Sequence, residues 1–423
     1  MALVRPVRVE LFRRTWPLGV WLPIETILAD GASVTHQLAV GIGPRVPDEV
    51  PPSAVIGEVA TPDGTGMAFD AFAAPELAAA FINYATPDVP VQRVRPVPGV
   101  RSGAAFVADD RWFVKAFRRI ESGEHPGLEL ARVLAERGVG TVTPPVSSWR
   151  RGDSDLVGVA RWVRGATSGA AMAAASIADV LERRCKPRES RLDFARSAEA
   201  LGQLVASIHV ALAAAFGSAP ADGAALAGFL IDRLERRRAE SGIDLDRVQS
   251  SFARLAAAED LGTSIRVHGD LGLARVVSAR SKWWLVDFDV DDVGTFDDRR
   301  VPISPLADVA AVLSSLSDVR IAAVAAAEAS AGGREAEDRE ARVLGDAWED
   351  RAVDAFVAGY TSNDQVHRLL PVERTSRDAL FSVFELDRTV ARLSRDARRD
   401  PGLIRLPTAE VDELLSAQPR RRW

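Results

Sequence analysis

The sequence predicts an α+β chain in two lobes, a β-rich front followed by a mostly helical remainder. Three observations carry that prediction. Up to about residue 164, short apolar runs alternate with polar residues between prolines and glycines, the signature of strands and turns. From about residue 165, apolar residues recur at helical intervals, as in Phe194, Leu201, Leu204, Ile208 and Leu212. Inside that helical half lies one strand-bearing stretch, Arg266-Val267-His268-Gly269-Asp270-Leu271-Gly272-Leu273 followed by Trp283-Trp284-Leu285-Val286-Asp287-Phe288-Asp289. A cleft between two such lobes is the natural ligand site.

Residues 1–94 form a first unit. Val7–Leu11, Val20–Ile24 and His36–Val40 are its strand candidates, Pro75–Tyr84 is a short closing helix, and Pro87, Pro90, Pro96 and Pro98 read as a stiff linker. Residues 95–164 read as a small antiparallel sheet with one inserted helix. Gly99–Val107 is a strand–turn–strand, Arg111–Phe117 the next strand, Leu128–Arg137 the helix and Leu156–Val163 a further strand.

Residues 165–423 are mostly helical, with helices over Leu192–Phe216, Ala221–Glu240, Asp244–Glu259, Pro305–Ser317, Ala341–Gly359, Ser376–Arg399 and Thr408–Gln418. Ile321–Ser330 is alanine-rich, 331–338 reads as a solvated loop, and Arg420-Arg421-Arg422 as a frayed tail.

The 423 residues, 47% apolar and 26% charged, allow a sizeable core. A net charge of −6 argues against a broad nucleic-acid or membrane-surface role. Cys185 is the only cysteine, which excludes an intrachain disulfide and a thiolate metal cluster. The N-terminus has no secretory pattern, because Arg5, Arg8, Glu10, Arg13 and Arg14 interrupt it, and no window offers the roughly 18 apolar residues of a spanning segment. A cytoplasmic protein is the expectation.

The chemistry concentrates in the hairpin. Asp287 follows Asp270 by seventeen positions, enough for a loop, a strand and a return. Two carboxylates at the mouth of such a hairpin can face one reaction centre, one orienting a hydroxyl and the other holding a cation against phosphate oxygens. The bland reading, two turn aspartates flanking an edge strand, suits either half alone better than both together. Lysine usage adds a second clue. Of 53 basic residues only Lys115, Lys186 and Lys282 are lysines. A lysine kept against that bias suggests a place where the wide guanidinium fork does not serve.

Taken together, Phe113-Val114-Lys115-Ala116-Phe117-Arg118-Arg119, Pro126-Gly127-Leu128-Glu129-Leu130, His268-Gly269-Asp270-Leu271, Asp287-Phe288-Asp289, Arg299-Arg300-Val301-Pro302, Asp308-Val309-Ala310 and Phe384-Glu385-Leu386-Asp387-Arg388 resemble the actinobacterial maltokinases and glucosamine kinases, and more remotely the aminoglycoside phosphotransferases. The resemblance implies a bilobal protein-kinase-like fold, with residues 1–94 as an N-terminal β-rich cap, 95–164 as the N-lobe and 165–423 as the C-lobe. It implies ATP and Mg²⁺ as cofactors and transfer of the γ-phosphate to a hydroxyl of a sugar or amino sugar. Lys115 would bind the α- and β-phosphates and Glu129 would pair with it. Asp270 would orient the acceptor hydroxyl and take its proton, with His268 holding the turn. Asp287 and Asp289 would hold the metal. Ser102 and Gly103 would cover the phosphates, and Arg161, Trp162 and Val163 would meet the nucleobase. Asp308 would cap its helix and brace the catalytic loop. A small-molecule acceptor is the expected partner, without nucleic acid or membrane, and a monomer is the working expectation.

Two departures from that pattern stand out. Maltokinases carry a metal-ligating glutamine where this chain has Arg275, and arginine has no lone pair for a cation. Arg275 would instead bring its own charge near the phosphates. The helix after Asp387 reads Ala391-Arg392-Leu393-Ser394-Arg395-Asp396, without the aromatic residues that would stack on a disaccharide. Maltose is therefore disfavoured. Glu385, Asp387 and Asp396 are candidate acceptor-side acids, although each reads first as helix-surface charge. The alternative to a sugar kinase is a catalytically impaired pseudokinase serving as a nucleotide- or sugar-binding regulatory protein.

Overall fold

The computed structural model describes residues 3–27, 33–61, 64–97, 103–241, 245–288 and 294–399. The helix expected at 408–418, the basic tail, Ser102 and Asp289 lie outside the described residues. The chain divides into two compact units, Met1–Arg132 with Thr143–Arg164, and Val133–Val142 with Gly165–Trp423.

The first unit holds two antiparallel sheets. One runs Leu3–Pro6, Leu18–Ile27, Ser33–Gly43, Gly64–Asp70, Val55–Thr61, with Glu10–Arg13 beside Leu18–Ile27 and Arg119–Ile120 beside Ser33–Gly43. The other runs Pro145–Arg151, Ser154–Arg161, Trp112–Phe117, Gly103–Ala108, Val94–Pro96. A continuous apolar core joins the N-terminal strands to this second sheet, with Trp21 packed edge-on against Trp149 at 5.0 Å. Buried Gln37 ties the two sheets together by polar contacts. Its Oε1 accepts the Trp21 indole N–H at 3.0 Å, while its Nε2 donates to the carbonyls of Phe117 and Leu156.

Several sequence expectations shift here. The strand expected over Val7–Leu11 is replaced by two on one edge of Leu18–Ile27, Leu3–Pro6 and Glu10–Arg13, interrupted opposite Pro23, which has no N–H to return to the ladder. The proline-rich linker contains a strand, Val94–Pro96, on the outer edge of its sheet, where proline costs no ladder bond. The strands Val55–Thr61, Gly64–Asp70 and Pro145–Arg151 escaped the sequence reading. Their apolar residues are few and separated by glycines or charges.

The second unit is built on long helices. Ala195–Phe216 and Glu335–Thr361 approach each other through glycines, since a Cβ on Gly202 would lie 2.1 Å from the Phe356 carbonyl oxygen and one on Gly359 2.0 Å from that of Glu199. Gly169–Arg183 is a further helix that the sequence reading missed. Its run of alanines gives no apolar stripe, yet Ser168 caps it through the Ala171 N–H and Ile177 and Val180 bury fully. The helix expected over Pro305–Ser317 runs on through the alanine-rich stretch as one helix, Leu306–Ala331. The expected loop at 331–338 is mostly helix. Gly332 and Gly333 make the turn at φ 65° and 82°, and Glu335, Glu337 and Asp338 fill the first turn of Glu335–Thr361, where negative charge suits the helix dipole.

By mean hydropathy, 1.5 and 1.6, Ala195–Phe216 and Leu306–Ser330 are long and apolar enough to cross a membrane, contrary to the sequence expectation. Both carry buried polar groups that bond within the unit, His209 on the first and Asp308 on the second.

Candidate active site

The second unit holds a short sheet in which Thr167–Ser168, Val276–Ala279 and Lys282–Leu285 pair in that order. The expected strand of the hairpin is thus present, and Asp270 and Asp287 flank it. The loop before it is set from behind by Asp308. Its Oδ2 accepts the His268 N–H at 2.8 Å and its Oδ1 accepts the Gly269 N–H at 2.7 Å. Gly269 takes φ 87°, a conformation that glycine adopts without strain. His209 Nε2 lies 3.2 Å from Asp308 Oδ2, and His209 Nδ1 lies 2.9 Å from the Tyr360 hydroxyl. His209, Asp308 and Tyr360 are all 0% exposed. Burial alone would raise the Asp308 carboxyl, but the hydrogen bond and charge of His209, together with His268, hold it below the ordinary value. Tyr360 is pushed well above the ordinary phenol by burial and then by the Asp308 carboxylate. Asp308 therefore braces the loop that carries Asp270, as expected. It does not cap its own helix, whose N-cap is Pro305 without a side-chain bond.

His268 is fixed at both ring nitrogens. Nε2 lies 2.8 Å from the Asp287 carbonyl oxygen, and Nδ1 accepts the Asp270 N–H at 3.2 Å. The ring stacks on Phe288. With both nitrogens committed to main chain, His268 positions the two aspartates and has no ring nitrogen left for proton transfer.

The two aspartates meet through one arginine. Arg275 Nη2 donates to Asp270 Oδ2 at 2.8 Å, and its Nη1 donates to Asp287 Oδ2. Arg388, on the helix Arg374–Arg399, donates to the other oxygen of Asp270 at 2.6 Å. Burial would raise the Asp270 carboxyl, but the guanidinium groups of Arg388 and Arg275 outweigh it and hold the acid far below the ordinary carboxylate range. Next to Arg388, Asp387 is buried and paired with Arg237 at 2.8 Å and Arg233 at 3.3 Å. This corrects the expectation of a solvated helix-surface charge. Burial lowers Arg233 to about 10, opposed by the charge of Asp387. Glu385 is half-buried, and the side chain of Asp396 lies outside the described residues.

Of the residues expected to hold Mg²⁺, only Asp287 lies among the described residues, and Arg275 engages its carboxylate. Among the described residues no group of three His, Cys, Asp or Glu side chains could hold a metal ion. The space between Asp270 and Asp287 is bridged by a guanidinium, which donates and cannot ligate.

The remaining expected site residues belong to the first unit. Lys115 is 5% exposed on the strand Trp112–Phe117, between buried Val114 and Ala116. Glu129 lies in the first turn of the helix Pro126–Glu136. That helix start is fixed by His125, whose N–H donates to buried Asp155 at 2.8 Å and whose Nδ1 accepts the Gly127 N–H at 3.1 Å. The His125 ring stacks on Phe117 at 3.7 Å between centroids. Gly103 opens the strand Gly103–Ala108, and a Cβ there would lie 2.1 Å from the Ala116 carbonyl oxygen. Its glycine is required by the strand next to Lys115, whatever else it does. Trp162 is half-buried, stacks on Phe113 and carries Arg95 over its ring at 5.5 Å, and Arg161 lies over Trp112 at 5.6 Å. The Trp162 N–H is committed to the Arg111 carbonyl at 2.8 Å, so a nucleobase at this linker would need other main-chain groups, such as those of Val163.

No protein-family model matches the chain. It is 25% identical over 344 residues to the glucosamine kinase of Mycolicibacterium smegmatis, covering 76% of this chain and 79% of that one. A solved structure of glucosamine kinase in complex with glucosamine, ADP and inorganic phosphate aligns with a TM-score of 0.60 and 18% identity over 98% of this chain and 94% of that one. A second crystal form of glucosamine kinase gives a TM-score of 0.62 over the same shares.

The chain has the fold of glucosamine kinase.

That fold is protein-kinase-like, with a β-rich N-terminal part and a helical C-terminal part. His209, Tyr360, Arg388, His125 and Asp155 support the expected site residues in roles that the sequence alone did not assign. A histidine inside the apolar stripe Leu201–Leu212 was the one available signal for the first of them.

Proposed function

We propose that this protein is an ATP-dependent kinase that transfers the γ-phosphate to a hydroxyl of a monosaccharide or amino sugar. The observation that carries the reading is Asp270, an ionised carboxylate on a loop locked from behind by Asp308 and placed beside Asp287 on one hairpin. In the proposed reaction the acceptor oxygen attacks the γ-phosphorus and the bond from that phosphorus to the β,γ-bridging oxygen breaks, leaving ADP. A carboxylate held far below its ordinary pKa is a weak base and a strong hydrogen-bond acceptor. Asp270 therefore orients the hydroxyl early and receives its proton only as the new P–O bond forms, as suits a loose phosphoryl-transfer transition state. Arg275 and Arg388 keep Asp270 ionised and bring positive charge near the phosphoryl oxygens.

On this reading Lys115 binds the α- and β-phosphates and Glu129 holds the lysine. Ser102 and Gly103 cover the phosphates, and Trp162 with Arg161 and Val163 borders the nucleobase. Maltose stays disfavoured. Tyr84 is taken up by Glu10 and Arg151, and Tyr360 is buried against His209, so neither supports a sugar-stacking face.

A second reading draws on the same geometry. Both oxygens of Asp270 are engaged by guanidinium groups, which favours a nucleotide- or sugar-binding regulatory protein without turnover. ADP release measured over glucosamine, other amino sugars, neutral monosaccharides, maltose and aminoglycosides separates the two. Release with a monosaccharide or amino sugar supports the kinase. Retained ATP binding with no release on any acceptor supports the regulator.

A further inference from the structure

The expected divalent cation and the observed guanidinium compete for the same position. Arg275 is not a mobile surface side chain. Its N–H donates to the Gly272 carbonyl at 2.9 Å and its own carbonyl accepts the Val286 N–H at 3.0 Å, so its backbone is pinned to the loop on one side and to the residue before Asp287 on the other. Its side chain is 11% exposed and bridges Asp270 and Asp287. Arg275 and Arg388 contact the carboxylates of Asp270 and Asp287, and Arg233 and Arg237 add positive charge nearby, partly offset by Asp387. A divalent ion inserted between the aspartates would meet the fixed positive charge of Arg275 there. A guanidinium, with five N–H donors and no acceptor, suits simultaneous contact with carboxylate and phosphate oxygens.

We propose that Arg275 is the resident cation of the phosphate-binding site: it supplies between Asp270 and Asp287 the charge that a divalent ion would otherwise bring, so that nucleotide binds without a divalent ion at that position. This rests on the kinase reading and adds to it. The test is calorimetric titration of ADP into the full chain, in EDTA and in excess Mg²⁺. The wild type binds with affinities within about threefold of each other in the two buffers. R275Q loses at least about tenfold in EDTA and recovers in Mg²⁺, and R275K, which keeps a charge but loses the fork, falls between. Mn²⁺ counted by electron paramagnetic resonance rises by one ion per bound ADP in R275Q relative to the wild type.

Wild-type binding that needs Mg²⁺, or an R275Q variant that matches the wild type in EDTA, overturns the proposal. Circular dichroism checks that R275Q folds, and if it does not, the wild-type comparison and R275K decide. Absence of ADP binding by the folded wild type in both buffers overturns the kinase reading itself, and this inference with it.

Discussion

Asp308 lies forty positions beyond His268, yet its carboxylate accepts the His268 N–H at 2.8 Å and the next N–H, of Gly269, at 2.7 Å. His268, held there, turns its ring back to the Asp287 carbonyl at 2.8 Å. Asp308→Ala leaves the buried His268 N–H, the part-buried Gly269 N–H and His209 without their acceptor. The expected loss is about 3 kcal/mol or more in denaturant unfolding. A wild-type midpoint for Asp308→Ala would remove the clamp from the account.

The same residues set the pH limits of stability. The folded-state pKa values of Asp270, Asp308 and Asp387 lie below their ordinary values. Their contribution is therefore present above the ordinary carboxylate pKa of about 4 and is lost as pH falls through the folded values. The folded-state value of Tyr360 is raised, so its contribution is full below about pH 10 and fades as pH rises beyond it. Melting temperatures across pH should show a shallower acid limb in Asp308→Asn and a shallower alkaline limb in Tyr360→Phe.

Gln37 predicts how the N-terminal strands depend on the sheet that carries Lys115. Gln37→Ala removes the partners of the Trp21 indole and of two buried carbonyls, those of Phe117 and Leu156. A loss of about 2–3 kcal/mol is expected. The checking measurement is urea unfolding followed by tryptophan fluorescence, and an unchanged midpoint would show that the apolar contacts alone join the two sheets.

Gly202 and Gly359 allow the helices Ala195–Phe216 and Glu335–Thr361 to approach closely. Gly202→Ala and Gly359→Ala each drive a methyl group onto backbone, near the Phe356 and Glu199 carbonyl oxygens respectively. Each should cost about 2 kcal/mol or more, read as a lower thermal midpoint. Neither should alter nucleotide affinity while the protein stays folded.

What the sequence disclosed followed from chemistry confined to short stretches. The hairpin was legible because Trp283–Val286 is an apolar run between two acidic turns, and Lys115 because lysine is scarce in this chain. The alanine-rich helix Gly169–Arg183 was not legible, since helices packed through small residues show no stripe of large side chains. The pairing of Arg388 with Asp270 joins positions 118 apart, and no local pattern encodes it. The burial of Asp387 was hidden for the same reason: Arg233 and Arg237 reach it from a different helix. Asp308 was half-read: the resemblance implied its bracing of the loop, while the helix cap expected of it falls to Pro305.

The central claim is that Asp270 serves phosphoryl transfer to a sugar hydroxyl. The most direct measurement compares the wild type with Asp270→Asn for phosphorylated acceptor by ³¹P nuclear magnetic resonance, alongside ATP affinity. The account predicts that the variant binds ATP within a few-fold of the wild type and loses about 10² or more in turnover. Equal turnover by the two proteins, or no phosphorylated sugar from the wild type on any acceptor, would contradict it.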